Sequence, residues 1–266
     1  MEVQVLSSAP NMKKITLLLL TAILGLGYFF SVAQAQGEIL PQEAIVSFSS
    51  NIIVNVDNSI DVTETIIYNT GPQERHGIYR GIYPYSSQKR KMAIENVSVT
   101  NEQGVRYQFQ RSDTDKNIKI KIGDPNQTFS GQKIYVIKYR ATKAIAQFNN
   151  IDEIYWNATG AEWGMPIYRA QASIVLPSGT NIVQSACYYG PKGSTTQCSS
   201  EYNKNGNNTF SSPSVLSQNE GMTVALGFSK GIVIPYPFSD TIIYILVLYL
   251  PWIIGILLPV LTFVFS

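Results

Sequence analysis

The residues best suited to chemistry gather in one stretch, Ile151–Ala170, which reads IDEIYWNATGAEWGMPIYRA. It carries Trp156 and Trp163, two of the chain's three tryptophans, together with Asp152, Glu153, Tyr155 and Glu162. Two carboxylates facing each other across a cleft hydrolyse glycosidic bonds, one as acid and one as base or nucleophile. Asp152 and Glu153 are adjacent, so in a strand they point to opposite faces, and only one of them can meet Glu162. Glu153 and Glu162 are taken as the candidate carboxylates for a glycan hydrolase. The segment reads as a short strand, Glu153–Asn157, then a Gly-hinged loop, Ala158–Pro166, that feeds the next strand.

A second stretch, Gly71–Pro84 (GPQERHGIYRGIYP), reads as a loop and holds Arg75, Tyr79, Arg80 and the chain's only histidine, His76. A Ser-His or Cys-His nucleophile needs a base beside it. Any such site would centre on His76, and no Gly-x-Ser-x-Gly elbow occurs. His76 reads as a packing or hydrogen-bonding residue, and no catalytic residue is assigned. Where the two stretches meet, Tyr79, Tyr83, Tyr85, Tyr155, Trp156 and Trp163 form either a core between sheet layers or an aromatic surface. A surface edged by Arg75 and Arg80 suits a protein or glycan partner. The candidate binding set is Arg75, Tyr79, Arg80, Glu153, Tyr155, Trp156, Glu162 and Trp163.

Other chemistries are poorly supplied. Asp57, Asn58 and Asp61 offer too few oxygens for calcium, and turn chemistry explains them. Two thiols and one histidine make a poor metal site, so no metal or cofactor is expected. Cys187 and Cys198 read instead as a disulfide, closing a loop of about 12 residues and stabilising by about 3 kcal/mol. A formal net charge of +2 gives no nucleic-acid signal, and Lys89-Arg90-Lys91 is a solvated loop. Nothing in the sequence speaks to oligomeric state.

The elements that must position these residues are strands. Ile45–Val56 turns at Asp57-Asn58-Ser59 into Ile60–Asn69, a β-hairpin. Ile60, Val62, Ile66 and Tyr68 share one face, and Glu64 lies on it too. A carboxylate there must be paired, because an unpaired buried charge is costly. Arg75 and Arg80 are its candidate partners. Strand-like runs follow at Ile94–Thr100, Val105–Gln110, Asn117–Ile122, Lys133–Ala141, Tyr168–Leu176, Asn181–Tyr189, Thr209–Ser212 and Met222–Ser229. Ala144–Asn150 reads as a helical turn or loop, and Gly190–Asn208 as an exposed loop. Many short strands and no long helix predict an all-β, antiparallel β-sandwich. The loop Ser86–Met92 would be the seam if there were two.

Flanking segments set the compartment. Met12–Ala35 has a Lys13-Lys14 n-region, an apolar run and an Ala33-Gln34-Ala35 cleavage site, so residues 1–35 read as a signal peptide with its start at Met1 or Met12. Thr241–Ser266 has no charged residue, and about 25 helical residues span a bilayer core of about 30 Å. Residues 238–266 are thus expected to cross the membrane once, with residues 36–237 outside the cytoplasm. Pro235-Tyr236-Pro237 reads as a stiff connector into it. The chain stops within apolar sequence, which suggests a truncated chain.

The ordered motifs resemble a known family. They are Val62-Thr63-Glu64-Thr65, His76-Gly77-Ile78-Tyr79-Arg80, Ile120-Lys121-Ile122-Gly123-Asp124, Tyr135-Val136-Ile137-Lys138-Tyr139 and Glu153-Ile154-Tyr155-Trp156-Asn157 with Gly160, Trp163, Pro166 and Ile167. Ala186-Cys187-Tyr188-Tyr189-Gly190-Pro191 and Gly227-Phe228-Ser229-Lys230-Gly231 follow. Over Ala44–Gly231 the chain resembles the N-terminal domain of DUF2207, predicted bacterial membrane proteins of unknown function also described as YciQ-like. The resemblance implies an envelope-anchored, extracytoplasmic domain and brings no catalytic residues. The expected function is a binding or assembly module whose partner is an envelope protein or glycan. The alternatives are the hydrolase and a sensor ectodomain that signals to a cytoplasmic part.

Overall fold

The computed structural model describes residues 41–202 and 207–237, and beyond them 239–240, 242–243, 245–251 and 254. The expected signal peptide and most of the expected membrane segment lie outside the described residues. Among the described residues no helix is long and apolar enough to cross a membrane.

The described chain is mostly strand. In order these are β1 (Ala44–Val54), β2 (Ile60–Asn69), β3 (Gly77–Ile82), β4 (Ala93–Thr100), β5 (Phe109–Asp113), β6 (Ile118–Gly123), β7 (Gln132–Thr142), β8 (Ile145–Gln147), β9 (Ile151–Asn157), β10 (Ala170–Val175), β11 (Ile182–Pro191), β12 (Ser199–Tyr202), β13 (Asn207–Ser211) and β14 (Glu220–Ser229). They form three sheets, with strand orders β12-β13-β10-β1-β2-β7-β4, β11-β14-β9-β8 and β3-β6-β5. The β1–β10 pairing is parallel, and the other strand pairings are antiparallel.

Alternation explains which face turns inward. In β6, Ile118, Ile120 and Ile122 are buried while Lys119 and Lys121 stay in water. In β14, Met222, Val224, Leu226 and Phe228 are buried, leaving Gly221, Thr223, Ala225 and Gly227 on the other row. Inward rows from all three sheets join one hydrophobic cluster. Strands on both sides of Ser86–Met92 (β2, β7 and β4) share one sheet, so this loop is not a seam.

Several segments differ from the sequence reading. Gly71–Pro84 is not all loop, since it contains β3, in which Ile78, Arg80 and Ile82 face inward. Val105–Gln110 is displaced as a strand to Phe109–Asp113, because Asn101 Oδ1 accepts from the amides of Gln103 (3.0 Å) and Val105 (2.8 Å) and holds a turn there. Ala144–Asn150 contains β8, which is neither helical turn nor loop, and Gly190–Asn208 contains β12.

The connector Pro235-Tyr236-Pro237 is strapped to the domain. Ile234 N donates to Val56 O (2.7 Å), and Gln147 brackets the strap, accepting from Tyr236 N (3.1 Å) and donating to Ile234 O (3.2 Å). The Tyr236 hydroxyl reaches Ile145 O (2.5 Å), and the Arg90 guanidinium lies 4.0 Å from the Tyr236 ring centre. Asn58, at φ 70°, serves the same pole: its Oδ1 accepts from Ile145 N at 3.1 Å. Burial pushes the Tyr236 hydroxyl up to about 12, against the opposing pull of Arg90. A raised phenol contributes stability that is whole below pH 10 and is lost as pH rises toward about 12. The Tyr236→Phe variant should therefore melt below the parent chain at neutral pH, with the gap closing between pH 10 and about 12. A gap that stays constant through that window would remove the strap from the stability account.

Candidate functional site

The Ile151–Ala170 stretch joins two features, a buried ion pair beneath it and a surface groove beside it. The ion pair comes from three strands. Glu64 on β2 receives Arg80 of β3 bidentately, Nε to Oε2 at 2.8 Å and Nη2 to Oε1 at 2.7 Å, and Tyr139 of β7 donates to the same Oε1 at 2.6 Å. Glu64 is 0% and Arg80 1% exposed, so all three sit in the core. Burial works against the Arg80 charge, but Glu64 outweighs it and holds the guanidinium protonated. Burial first, then the Glu64 charge, pushes the Tyr139 phenol well above its ordinary range. Arg75 does not reach Glu64. It pairs with Glu43 at 2.6 Å, and its hydrogen bond holds the Glu43 carboxyl below the usual range.

The loop over this pair is packed against it. Gly160, at φ +75°, leaves room for Arg80: a Cβ there would sit 2.5 Å from Nη1. Thr159 Oγ1 accepts from Met222 N at 2.8 Å, and Trp163 Nε1 donates to Thr159 O at 2.8 Å. Trp156 and Trp163 are 3% and 5% exposed, against Tyr139 and Phe48 respectively. Of the candidate binding set, Arg80, Trp156 and Trp163 therefore belong to the core. Tyr79 and Tyr155 remain exposed.

Between those anchors the loop presents Glu162 at the surface, where the Asn117 amide donates to both carboxylate oxygens (2.8 and 3.0 Å). Glu162 lines a groove of about 390 Å³ with Tyr83, Tyr155, Tyr188, Tyr189 and Asn157. Gly221 and Thr223 of β14 also line it, as does the tip Gly190–Ser194. Tyr83 is 54% and Tyr155 41% exposed. Glu162 also borders a second cavity of about 180 Å³, lined by Tyr79, Gly81 and Lys119 and by the buried Arg80, Gly160 and Trp163. The Lys119 ammonium lies 4.3 Å from the Tyr79 ring centre.

The groove's walls follow from register. Thr223 pairs with Asn157 on one side and Tyr188 on the other, and Ala225 with Tyr155 and Ala186. Each small residue of the central strand thus has a tyrosine on one side only, Tyr188 beside Thr223 and Tyr155 beside Ala225. Farther along, Gln184 covers Gly227 and donates to Glu153 at 3.4 Å. The Cys187–Cys198 disulfide, with Cys198 N to Cys187 O at 3.0 Å and Tyr189 N to Thr196 O at 2.9 Å, closes the hairpin that carries the outer wall.

Glu153 and Glu162 line different cavities, so this carboxylate pair does not converge. Asp152 is buried against Lys230 at 3.1 Å. Asp57 and Asp61 both meet Arg140, and no cluster of three or more His, Cys, Asp or Glu occurs among the described residues. His76 Nδ1 lies 2.9 Å from Gln127 O, at the surface. Sequence reasoning missed Tyr188, Tyr189 and Asn157 as groove residues and Asn117 as the partner of Glu162. The signal available was a tyrosine pair directly after a cysteine and before Gly190-Pro191.

A family model described as the N-terminal domain of a predicted membrane protein, DUF2207, matches residues 44–228. No curated protein matches the chain in sequence. Among solved structures, leukotriene A4 hydrolase from Saccharomyces cerevisiae aligns at TM-score 0.41 and 10% identity, covering 70% of this chain and 29% of that one. A putative protease from Parabacteroides distasonis aligns at 0.36 and 13%, covering 70% and 40%. An M1 zinc metallopeptidase from Deinococcus radiodurans aligns at 0.35 and 9%, covering 70% and 42%. The chain thus spans well under half of each, and likeness at these scores bears on neither fold nor activity.

Proposed function

We propose, for a chain that belongs to the DUF2207 family of predicted membrane proteins, that it is a binding module of the bacterial envelope. In this proposal residues 36–237 form a β-sandwich outside the cytoplasm, residues 238–266 anchor it, and the tyrosine-lined groove captures the partner. The observation that carries it is the groove itself. Its volume of about 390 Å³ falls in the range of ligand sites, and aromatic walls with a few fixed polar groups are what such sites use. A glycan hydrolase is less well supported, because Glu162 is the one carboxylate among the groove's lining residues and both glycosidase geometries need two. The sensor reading draws on the strap at Tyr236, which ties the domain to the segment that follows.

Photo-crosslinking tests the binding role. A benzoylphenylalanine at position 155 of the full chain, in its host cells, should yield an adduct. The same group at Val105, 61% exposed in the β4–β5 loop, should not. Equal yields at the two positions would count against the groove.

A further inference from the structure

Resting on that groove, we infer that its ligand is a saccharide chain. The floor is Gly221 and Thr223 of β14, a strand paired on both sides, by β11 and by β9. No free strand edge is therefore offered there, and a peptide has no edge to extend. Tyr155 and Tyr188 stand on the strands either side of β14, diagonal to each other by two residues, which sets their Cα atoms about 12 Å apart. Two aromatic side chains at that spacing on one groove offer apolar surface on which a partly apolar sugar ring stacks.

The polar groups decide the class. Asn157, whose Oδ1 already accepts from Gly160 N at 3.0 Å, offers amide N–H groups, Thr223 and Ser194 offer hydroxyls, and Lys192 adds an ammonium donor. Glu162 is fixed by Asn117 with both oxygens engaged, and an ionised carboxylate has about four lone-pair sites, all acceptors. It calls for further donors. A sugar supplies them as hydroxyls set around an apolar ring. A proline-rich peptide, the other usual guest of aromatic grooves, lacks N–H groups at its prolines and leaves Glu162 unmatched. Glu162 also lines the second cavity with Tyr79 and Lys119, so a chain of sugar units can keep one unit in the groove and reach past Glu162 with the next.

The test is calorimetric titration of the full chain, held in a detergent without sugar headgroups, with a panel of linear oligosaccharides that includes an N-acetylglucosamine tetramer. At least one member should bind. Tyr155→Ala and Tyr188→Ala should each weaken it by about tenfold or more, as loss of a central aromatic does. Tyr155 is exposed, so its replacement should leave the melting temperature in place. Saccharide binding that both variants retain would overturn the proposal by placing the sugar elsewhere. No binding by any member, together with a protein adduct from position 155, would overturn the saccharide and leave the binding groove standing. No binding and no adduct would overturn both.

Discussion

Replacing Arg80 with leucine is expected to lower the melting temperature by roughly 6–20 °C. Arg80 and Glu64 are joined by two hydrogen bonds of 2.8 and 2.7 Å in a site that water does not reach. Removing one partner leaves a buried charge with only the Tyr139 hydroxyl to satisfy it, at a cost of about 3–5 kcal/mol. For a domain of this size each kcal/mol shifts the midpoint by about 2–4 °C. The same physics predicts recovery. The triple variant Glu64→Leu/Arg80→Met/Tyr139→Phe removes every charge and hydroxyl of the site, and well-packed apolar substitutes for buried pairs are often neutral or better. It should melt well above Arg80→Leu. Thermal unfolding followed by circular dichroism compares the three proteins. A single variant within about 2 °C of the parent chain would show that the pair is not closed to solvent.

The second large effect belongs to the disulfide. Cys187 and Cys198 are eleven residues apart, and a loop of that length gives about 3 kcal/mol through the unfolded chain. Cys187→Ser/Cys198→Ser should lower the midpoint by roughly 6–12 °C. It should also reduce the position-155 adduct, because the freed hairpin carries Tyr188, Tyr189 and the tip Gly190–Ser194. A variant that loses stability but keeps full adduct yield would separate the brace from the groove. Free-thiol titration of the native chain should find none.

Much of this was legible in the sequence where the strand period is clean. Buried residues alternate with half-buried ones in β2 and with exposed ones in β6, and Glu64 stood out as the carboxylate in an apolar row. Its partner was narrowed to Arg75 or Arg80 without a choice between them, because the inward place of Arg80 in β3 does not show in the pattern. An arginine between Ile78 and Ile82, with glycines at 77 and 81, hides a strand and makes the segment read as a loop. Ser199–Tyr202 is hidden for a different reason: its mostly small, polar residues give the period no contrast. The Ile151–Ala170 stretch stood out as central, with its aromatic residues readable either as core or as surface. The structure puts the tryptophans in the core and leaves Tyr155 exposed, and the groove is walled by tyrosines from β9 and β11. These meet only through pairing with β14, strands more than thirty residues apart in sequence. No local pattern encodes that meeting.

The most direct measurement of the central claim is the adduct yield from position 155 in cells, set against Val105 and against Ile53 of β1, 43% exposed on the seven-stranded sheet. If the groove is the binding face, position 155 alone gives a discrete adduct, and Tyr188→Ala diminishes it. If position 53 or 105 gives the adduct and 155 does not, the partner meets another face and the groove is not what this domain uses.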